Sequence, residues 1–280
     1  METAGSKVLK VFYCYAREDR VLREKLEKHL EPLRRAELIV SWHDRQIQPG
    51  MEWEQEIQTN LDSSDIVLLL VSPAFMSSDY CYSVEMSRAL QRHESRVARV
   101  IPVILRPVEW KTTIIGQLQA LPSDGKPITL WRNRDEAYQD VARGIQDVVE
   151  AFHNRQHAKD FDERGRVLFE NGKYEAALLA FDQAIRLDGS DYYYFYQKAR
   201  TLSRLGRDEQ ALDACNQALQ LREHRWVYKK KTEILTKLGR QEEARQVAEE
   251  THRLYKERDE FFDELYGPGT VQKIDEKERS

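Results

Sequence analysis

The sequence predicts two architectures in series, an α/β domain on a parallel sheet and then an all-helical repeat array. Three observations carry this reading. Over residues 1–155, apolar strand-like runs alternate with amphipathic helical stretches, the pattern of a sheet whose strands are joined by helices. Beyond residue 155 the strand signal stops, and one phrase, Gly-x-x-Glu or a close variant, recurs at Gly172, Gly206 and Gly239, at intervals of 34 and 33 residues. At 280 residues the chain is long enough for two compact domains, each with its own core.

The elements follow in order. Val8–Tyr15 is β-branched and aromatic and reads as the first strand; Val21, Leu22, Leu26 and Leu30 then mark one face of a helix. Leu38–Trp42 is a second strand, closed by a loop carrying Pro49-Gly50, and Trp53, Ile57 and Leu61 at spacing four mark the next helix. Asp65–Ser72 is a continuous apolar run, which suits a strand covered on both faces. A helix containing Glu85 follows, its start capped from Ser77, Ser78 or Asp79. Ala98–Leu105 is a fourth strand, Pro127–Trp131 a short fifth, and Ala137–Phe152 a closing helix. In such sheets ligands sit beyond the carboxyl ends of the strands. That places Tyr15–Asp19, Trp42–Gly50, Ser72–Asp79 and Arg106–Lys126 around any site.

In the second half other positions recur in step: Phe161, Phe195 and Tyr228; Leu168, Leu202 and Leu235; Ala177, Ala211 and Ala244. Alanine lets helices approach closely, glycine ends the first helix of each pair, and each repeat buries its face against its neighbours. The period and these positions resemble the tetratricopeptide repeat, three copies over Ala158–Lys256. The expected organisation is a first domain over 1–155, three repeats plus a capping helix over 156–266 (with Phe261, Phe262, Leu265 and Tyr266), and a polar, disordered tail over 267–280. The run Tyr192–Tyr196, five aromatics together, reads as packing between repeats or as a docking surface.

Composition narrows the function classes. Net charge is −4, from 44 Lys and Arg against 48 Asp and Glu, and the charges interleave, which argues against a nucleic-acid partner. No apolar run approaches the roughly 18–20 residues of a membrane-spanning helix. No signal-peptide layout opens the chain, and three scattered cysteines exclude a disulfide framework, so the cytoplasm is the expected location. His43 with Asp44 is too sparse for a metal site, and no Walker or Gly-x-Gly-x-x-Gly loop is present.

Four segments in order carry a second resemblance: VFYCYAREDR (Val11–Arg20), WHDRQIQPG (Trp42–Gly50), LLLVSPAFMSSDYCYSVEM (Leu68–Met86) and RVIPVILRPVEW (Arg99–Trp110). Together they resemble a bacterial-type Toll/interleukin-1 receptor (TIR) domain over about residues 5–155. The resemblance implies a flavodoxin-like, five-stranded parallel sheet. It implies one of two jobs, since some members are adaptors that bind other TIR domains and others cleave NAD+ between nicotinamide and ribose. In the second group the catalytic glutamate matches Glu85, and Arg17, Trp42, Asp44, Tyr80 and Cys81 fall at substrate-binding positions. Pro49 and Gly50 match the loop through which TIR domains assemble, so a homo-oligomer is implied, with NAD+ as substrate and no cofactor. Cys81 stands where many active relatives carry tryptophan, and Tyr80 beside it could supply an aromatic surface.

One carboxylate suffices for this chemistry. The nicotinamide ring of NAD+ is already cationic and departs neutral, so no general acid is needed. What remains is stabilising an oxocarbenium-like ribose, which an ionised carboxylate does electrostatically. On spacing alone Glu85 reads better as a helix-surface residue paired with Arg88, and the surrounding motifs turn the reading toward catalysis. The alternatives to an NAD+ glycohydrolase are a cyclase using the same first step and a non-enzymatic TIR and repeat scaffold whose repeats bind a peptide or protein.

Overall fold

A computed structural model describes residues 7–78, 86–95 and 97–266, with 257–266 described as backbone alone. Asp79, Tyr80, Cys81, Glu85 and the tail 267–280 lie outside the described residues. The chain divides into two compact units, 1–153 and 154–280.

In the first unit β1 (Leu9–Tyr15), β2 (Ile39–Trp42), β3 (Ile66–Val71) and β4 (Arg99–Ile104) form one parallel sheet in the order β2-β1-β3-β4. Parallel pairing requires crossovers, and helices supply them: α1 (Arg20–Arg35), α2 (Trp53–Ser63), the short α3 (Pro73–Ser77) and α4 (Met86–Glu94). The period of two divides each strand between two cores. Leu9, Val11 and Tyr13 of β1 and Leu68 and Leu70 of β3 face a layer with Leu26, Leu30, Val141 and Ile145. Phe12, Cys14, Val67, Leu69 and Val71 face the other, with Ile57, Leu61, Phe75 and Met86. All six residues of β3 are buried, as expected of a central strand covered on both sides.

The expected fifth strand does not form. Ile128–Leu130 is a single 3-10 turn, tethered to the sheet by the Thr129 amide donating to the Leu105 carbonyl at 3.1 Å. The outer edge of β4 is instead met at one residue, Leu121. Its amide donates to the Pro102 carbonyl, and its carbonyl accepts from the Ile104 amide, both at 2.8 Å. Pro122 follows and has no N–H to extend the ladder. The apolar signal at Ile128 is real but serves as a plug, fully buried in the core between the sheet and its helices.

The closing helix also runs further than expected. α5 extends from Arg134 to Glu170, with no proline to stop it, and the boundary between the two units falls inside it. The second unit continues with α6 (Tyr174–Leu187), α7 (Tyr192–Arg204), α8 (Asp208–Leu221), α9 (Arg225–Lys237) and α10 (Gln241–Tyr266). The three recurring glycines take φ of 73°, 73° and 75°, the left-handed conformation that closes a helix. After each, the next residue's amide returns to the recurring leucine: Lys173 to Leu168, Arg207 to Leu202 and Arg240 to Leu235, at 2.9–3.0 Å. Glycine and leucine therefore recur together because they are two ends of one hydrogen-bonded helix stop. The recurring Ala177, Ala211 and Ala244 are all buried at helix crossings. Among the described residues no helix is long and apolar enough to cross a membrane.

Candidate functional site

At the carboxyl ends of the strands lies a cleft of about 430 Å³. Its walls come from four chain segments. The turn Arg17–Asp19 after β1 contributes Arg17 and Glu18; the turn Asp44–Gln46 after β2 contributes Asp44; α3 contributes Ala74 and Ser77, with Ser78 next in sequence. Tyr15, at the end of β1, and Trp53 and Ile57 of α2 complete it. Arg17 and Asp44 are thus brought to one cleft.

Trp42 is not among the residues lining it. Its ring stacks on Phe12, with centroids 5.2 Å apart and planes 19° from parallel, and packs against the core beneath. Pro49 and Gly50 form a tight turn, in which the Met51 amide donates to the Gln48 carbonyl at 3.2 Å. Proline then glycine with φ 92° at the two central positions is the type II arrangement. This turn delivers the chain to Trp53 on the first turn of α2. Glu85, Tyr80 and Cys81 are outside the described residues, and the chain is next described at Met86. Arg88 makes a two-pronged ion pair with Asp62 of α2. The Ser77 hydroxyl donates back to the Ala74 carbonyl at 3.1 Å, and the helix start expected after it lies outside the described residues.

A carboxylate not singled out by sequence ties two of these wall segments together. Asp19 has no exposed surface, accepts a hydrogen bond from the Ser72 hydroxyl, and accepts a second from Arg106 Nε at 2.7 Å. Ser72 Oγ in turn accepts the Phe75 amide at 3.1 Å, capping α3. Ser72-Pro73 is a legible signal, serine at an N-cap with proline at the first helical position. Nothing in the local sequence marks Asp19, one of two acids in Arg17-Glu18-Asp19-Arg20, as the buried one.

Beside the cleft a polar group of α1 and β2 is largely removed from water. The Tyr15 hydroxyl donates to Asp44 Oδ1 at 2.8 Å; burial, reinforced by this bond, pushes its pKa up to about 12. Arg23, 2% exposed, lies over the Tyr15 ring at 5.0 Å and reaches Glu27 at 2.9 Å. Burial, with Arg23 adding to it, lowers His43 to about 4, so the imidazole is neutral at pH 7. Burial also raises Glu27 above the ordinary carboxylate range, against the pull of Arg23.

The repeat unit holds a second concavity, about 340 Å³, between α7 and α9. It is lined by Tyr193, Tyr196, Arg200, Trp226, Lys229, Lys230 and Glu233. The five-aromatic run divides here by helical position. Tyr194 is buried with Ala158 and Ala184, Tyr192 and Phe195 pack on the core between helices, and Tyr193 and Tyr196 line the groove. Arg200 lies over the Phe169 and Tyr196 rings at 4.8 and 5.8 Å, and Lys230 pairs with Glu233. The groove therefore combines aromatic surface with a local excess of cations.

Comparison with known proteins matches these two regions separately. The family model for the TIR domain matches residues 11–143, and that for the tetratricopeptide repeat matches residues 162–191 and 192–225. The uncharacterized protein y4lF of Sinorhizobium fredii is 47% identical over 139 residues, 50% of this chain and 43% of that protein. The Protein STIP1 homolog of Dictyostelium discoideum is 34% identical over 98 residues, 34% of this chain and 17% of its own length. The chain thus spans less than half the length of either relative. Among solved structures, the second TPR of Spaghetti (RPAP3), bound to the HSP90 peptide SRMEEVD, is 29% identical with a TM-score of 0.35, over 36% of this chain and 95% of that one.

Proposed function

We propose that this chain, a TIR domain followed by tetratricopeptide repeats, is an NAD+ glycohydrolase whose repeats serve as its interaction module, in a signalling or partner-binding role. The observation that carries the reading is the cleft at the carboxyl ends of the strands, with Arg17, Glu18 and Asp44 on its walls. An open, polar cleft with a guanidinium suits a diphosphate-bearing substrate, because arginine's fork matches phosphate oxygens. The Tyr15 hydroxyl ties down Asp44, which leaves that carboxylate's second oxygen available to a ligand hydroxyl.

Glu85 is the proposed catalytic residue, on its match to the family position and on its place seven positions after Ser78 of the cleft wall. Its task is electrostatic. An ionised carboxylate stabilises the positive charge that develops on the ribose as neutral nicotinamide leaves, and water then adds to the anomeric carbon. An internal adenine nitrogen in place of water would give a cyclic product by the same first step. Self-association of TIR domains through the Pro49-Gly50 turn would raise activity with concentration.

The test is incubation of the purified chain with NAD+, with and without a crowding agent, and chromatographic separation of products. Nicotinamide and ADP-ribose, or its cyclic isomer, should accumulate, and Glu85→Gln should abolish both while leaving the circular dichroism spectrum unchanged. Undiminished turnover in that folded variant removes Glu85 from the mechanism. A specific observation also favours a scaffold role: the cation-rich aromatic groove of α7 and α9 suits an acidic protein segment. If no NAD+ is lost at any concentration, that interaction role is the whole function.

A further inference from the structure

We infer that Arg23 is a positioning residue for the cleft: its guanidinium, lying over the Tyr15 ring, fixes the hydroxyl that orients Asp44. For its ligand the inference rests on the glycohydrolase reading. It starts from the register of the sheet. Ser41 of β2 pairs with Val11 of β1, so Ser41 faces α1 together with Val11 and Tyr13. Arg23 and Glu27, one turn apart on α1, enter the same seam, where both act on the Tyr13 hydroxyl. Arg23 is 2% exposed, its Nη1 lies 2.9 Å from Glu27 Oε2, and Glu27 Oε1 lies 3.6 Å from His43 Nε2. Among the described residues, Tyr13 Oη, Ser41 Oγ, Arg23 Nε and His43 Nδ1 are buried there with no hydrogen-bond partner.

Such a seam is a poor device for stability alone. Each orphaned polar atom costs stability, and a buried ion pair is often matched or bettered by apolar side chains of similar volume. What the seam does provide is a stiff path to the cleft. Arg23 Cζ lies 5.0 Å from the centroid of the Tyr15 ring, and the Tyr15 hydroxyl donates to Asp44 Oδ1 at 2.8 Å. Asp44 is on the cleft wall, whereas Arg23 is not among the lining residues and acts only through Tyr15. A guanidinium holds an aromatic ring by its planar face as well as its charge, and the pair with Glu27 keeps that face in place. With the ring fixed, the hydroxyl points one way, and Asp44 offers its second oxygen to a ligand hydroxyl in one orientation. Binding sites retain this kind of polar support even where the fold alone does not favour it.

Isothermal titration calorimetry and thermal melts of the full chain test this with carba-NAD+, which keeps the ribose hydroxyls but lacks the ring oxygen needed for cleavage. Arg23→Lys keeps a cation for Glu27 without the planar face. Arg23→Met combined with Glu27→Gln removes the pair and leaves no lone charge. Each should weaken binding about fivefold, and the second should melt no lower than the wild type. Tyr15→Phe keeps the ring, drops the bond to Asp44, and should also weaken binding about fivefold. Adding it to either Arg23 variant should again give about fivefold, whereas independent effects would multiply to about twenty-five-fold. Multiplying effects, unchanged affinity in folded Arg23→Lys, or affinity lost only where the melting temperature falls would leave Arg23 a structural residue and overturn this inference alone. Absence of carba-NAD+ binding by the wild type overturns both this inference and the glycohydrolase reading.

Discussion

The Ser72 hydroxyl donates a hydrogen bond to the wholly buried carboxylate of Asp19, joining the loop after β1 to the N-cap of α3. Arg106 closes the same carboxylate from the loop after β4. The two wall segments that carry Arg17 and Ser77 are thus held through one side chain. Replacing Asp19 with alanine strands the Ser72 hydroxyl and removes the partner of Arg106. It should cost about 2–3 kcal/mol, below the range for a fully buried pair because Arg106 is 45% exposed. Urea unfolding of Asp19→Ala, Ser72→Ala and the double variant should give strongly non-additive losses; additive losses would show that the two residues act independently.

His43 makes the first unit sensitive to acid. Its folded pKa, about 4, lies below the ordinary 6.5, because burial disfavours the charged ring and Arg23 adds to that. Its contribution to stability is therefore full above about pH 6.5 and is lost as pH falls toward 4. Substitution by asparagine should narrow the stability difference between pH 7 and pH 4 by on the order of 2 kcal/mol. An unchanged pH profile would mean that Glu24, Glu27, Asp44 and Arg45 around it compensate.

Asp162 should show the opposite sign in the repeat unit. Burial raises its pKa to about 6 against the pull of Arg166, and its Oδ1 has no hydrogen-bond partner. A folded pKa above the unfolded one means stability is greatest below about pH 4 and declines as pH rises through 6. Asp162→Asn should therefore stabilise the chain by about 1–2 kcal/mol at pH 7, and by little at pH 4. Denaturant titrations at the two pH values read this directly; destabilisation at pH 7 would show that the Arg166 attraction outweighs burial.

Two glycines should respond to alanine for different reasons. A Cβ at Gly165 would lie 2.6 Å from Cε1 of Phe181, so Gly165→Ala overpacks a helix crossing and should cost about 1–3 kcal/mol. At Gly50 nothing lies within 4 Å of a built Cβ, and only the φ of 92° resists. Gly50→Ala should cost about 1 kcal/mol, with Gly50→Asn cheaper and Gly50→Val dearer. Thermal melts that rank valine with alanine at this site would contradict the backbone explanation.

The groove of α7 and α9 should select acidic peptides. Fluorescence anisotropy with labelled decapeptides should show acidic, aromatic-containing sequences binding better than basic ones, with affinity falling as salt rises. Arg200→Glu and Trp226→Ala should each weaken this binding about tenfold or more. Equal binding of basic and acidic peptides would reject charge as the basis of selection.

Most of the fold is legible in residue order. The alternation of apolar runs and helical faces gives the four strands, and a fully apolar run identified β3 as central. Gly172, Gly206 and Gly239 with their leucines gave the helix stops, because that motif is local and needs both residues at fixed spacing. The fifth strand failed because an apolar run states only that residues are buried. Whether Ile128 is buried in a ladder or as a plug depends on Leu121 having taken the β4 edge first and on Pro122 ending the pairing there.

The candidate site divides the same way. The resemblance singled out Arg17 and Asp44, and both share one cleft because the loops after strands of a parallel sheet open on the same side. Trp42 and Trp53 look alike in sequence, each an aromatic near the Pro49-Gly50 loop. Their places differ because Trp42 ends a strand beside Phe12, which stacks on its ring, whereas Trp53 starts a helix that lines the cleft. The sequence by itself determined which segments are strands, where the helices stop and which loops share an edge, since local backbone preference and hydrophobic period are written residue by residue. Tertiary structure alone decided that Asp19 is buried between Ser72 and Arg106, residues 53 and 87 positions away, and that Trp53 rather than Trp42 meets the cleft. Those outcomes are set by which distant surfaces close over a side chain, and no local pattern records that.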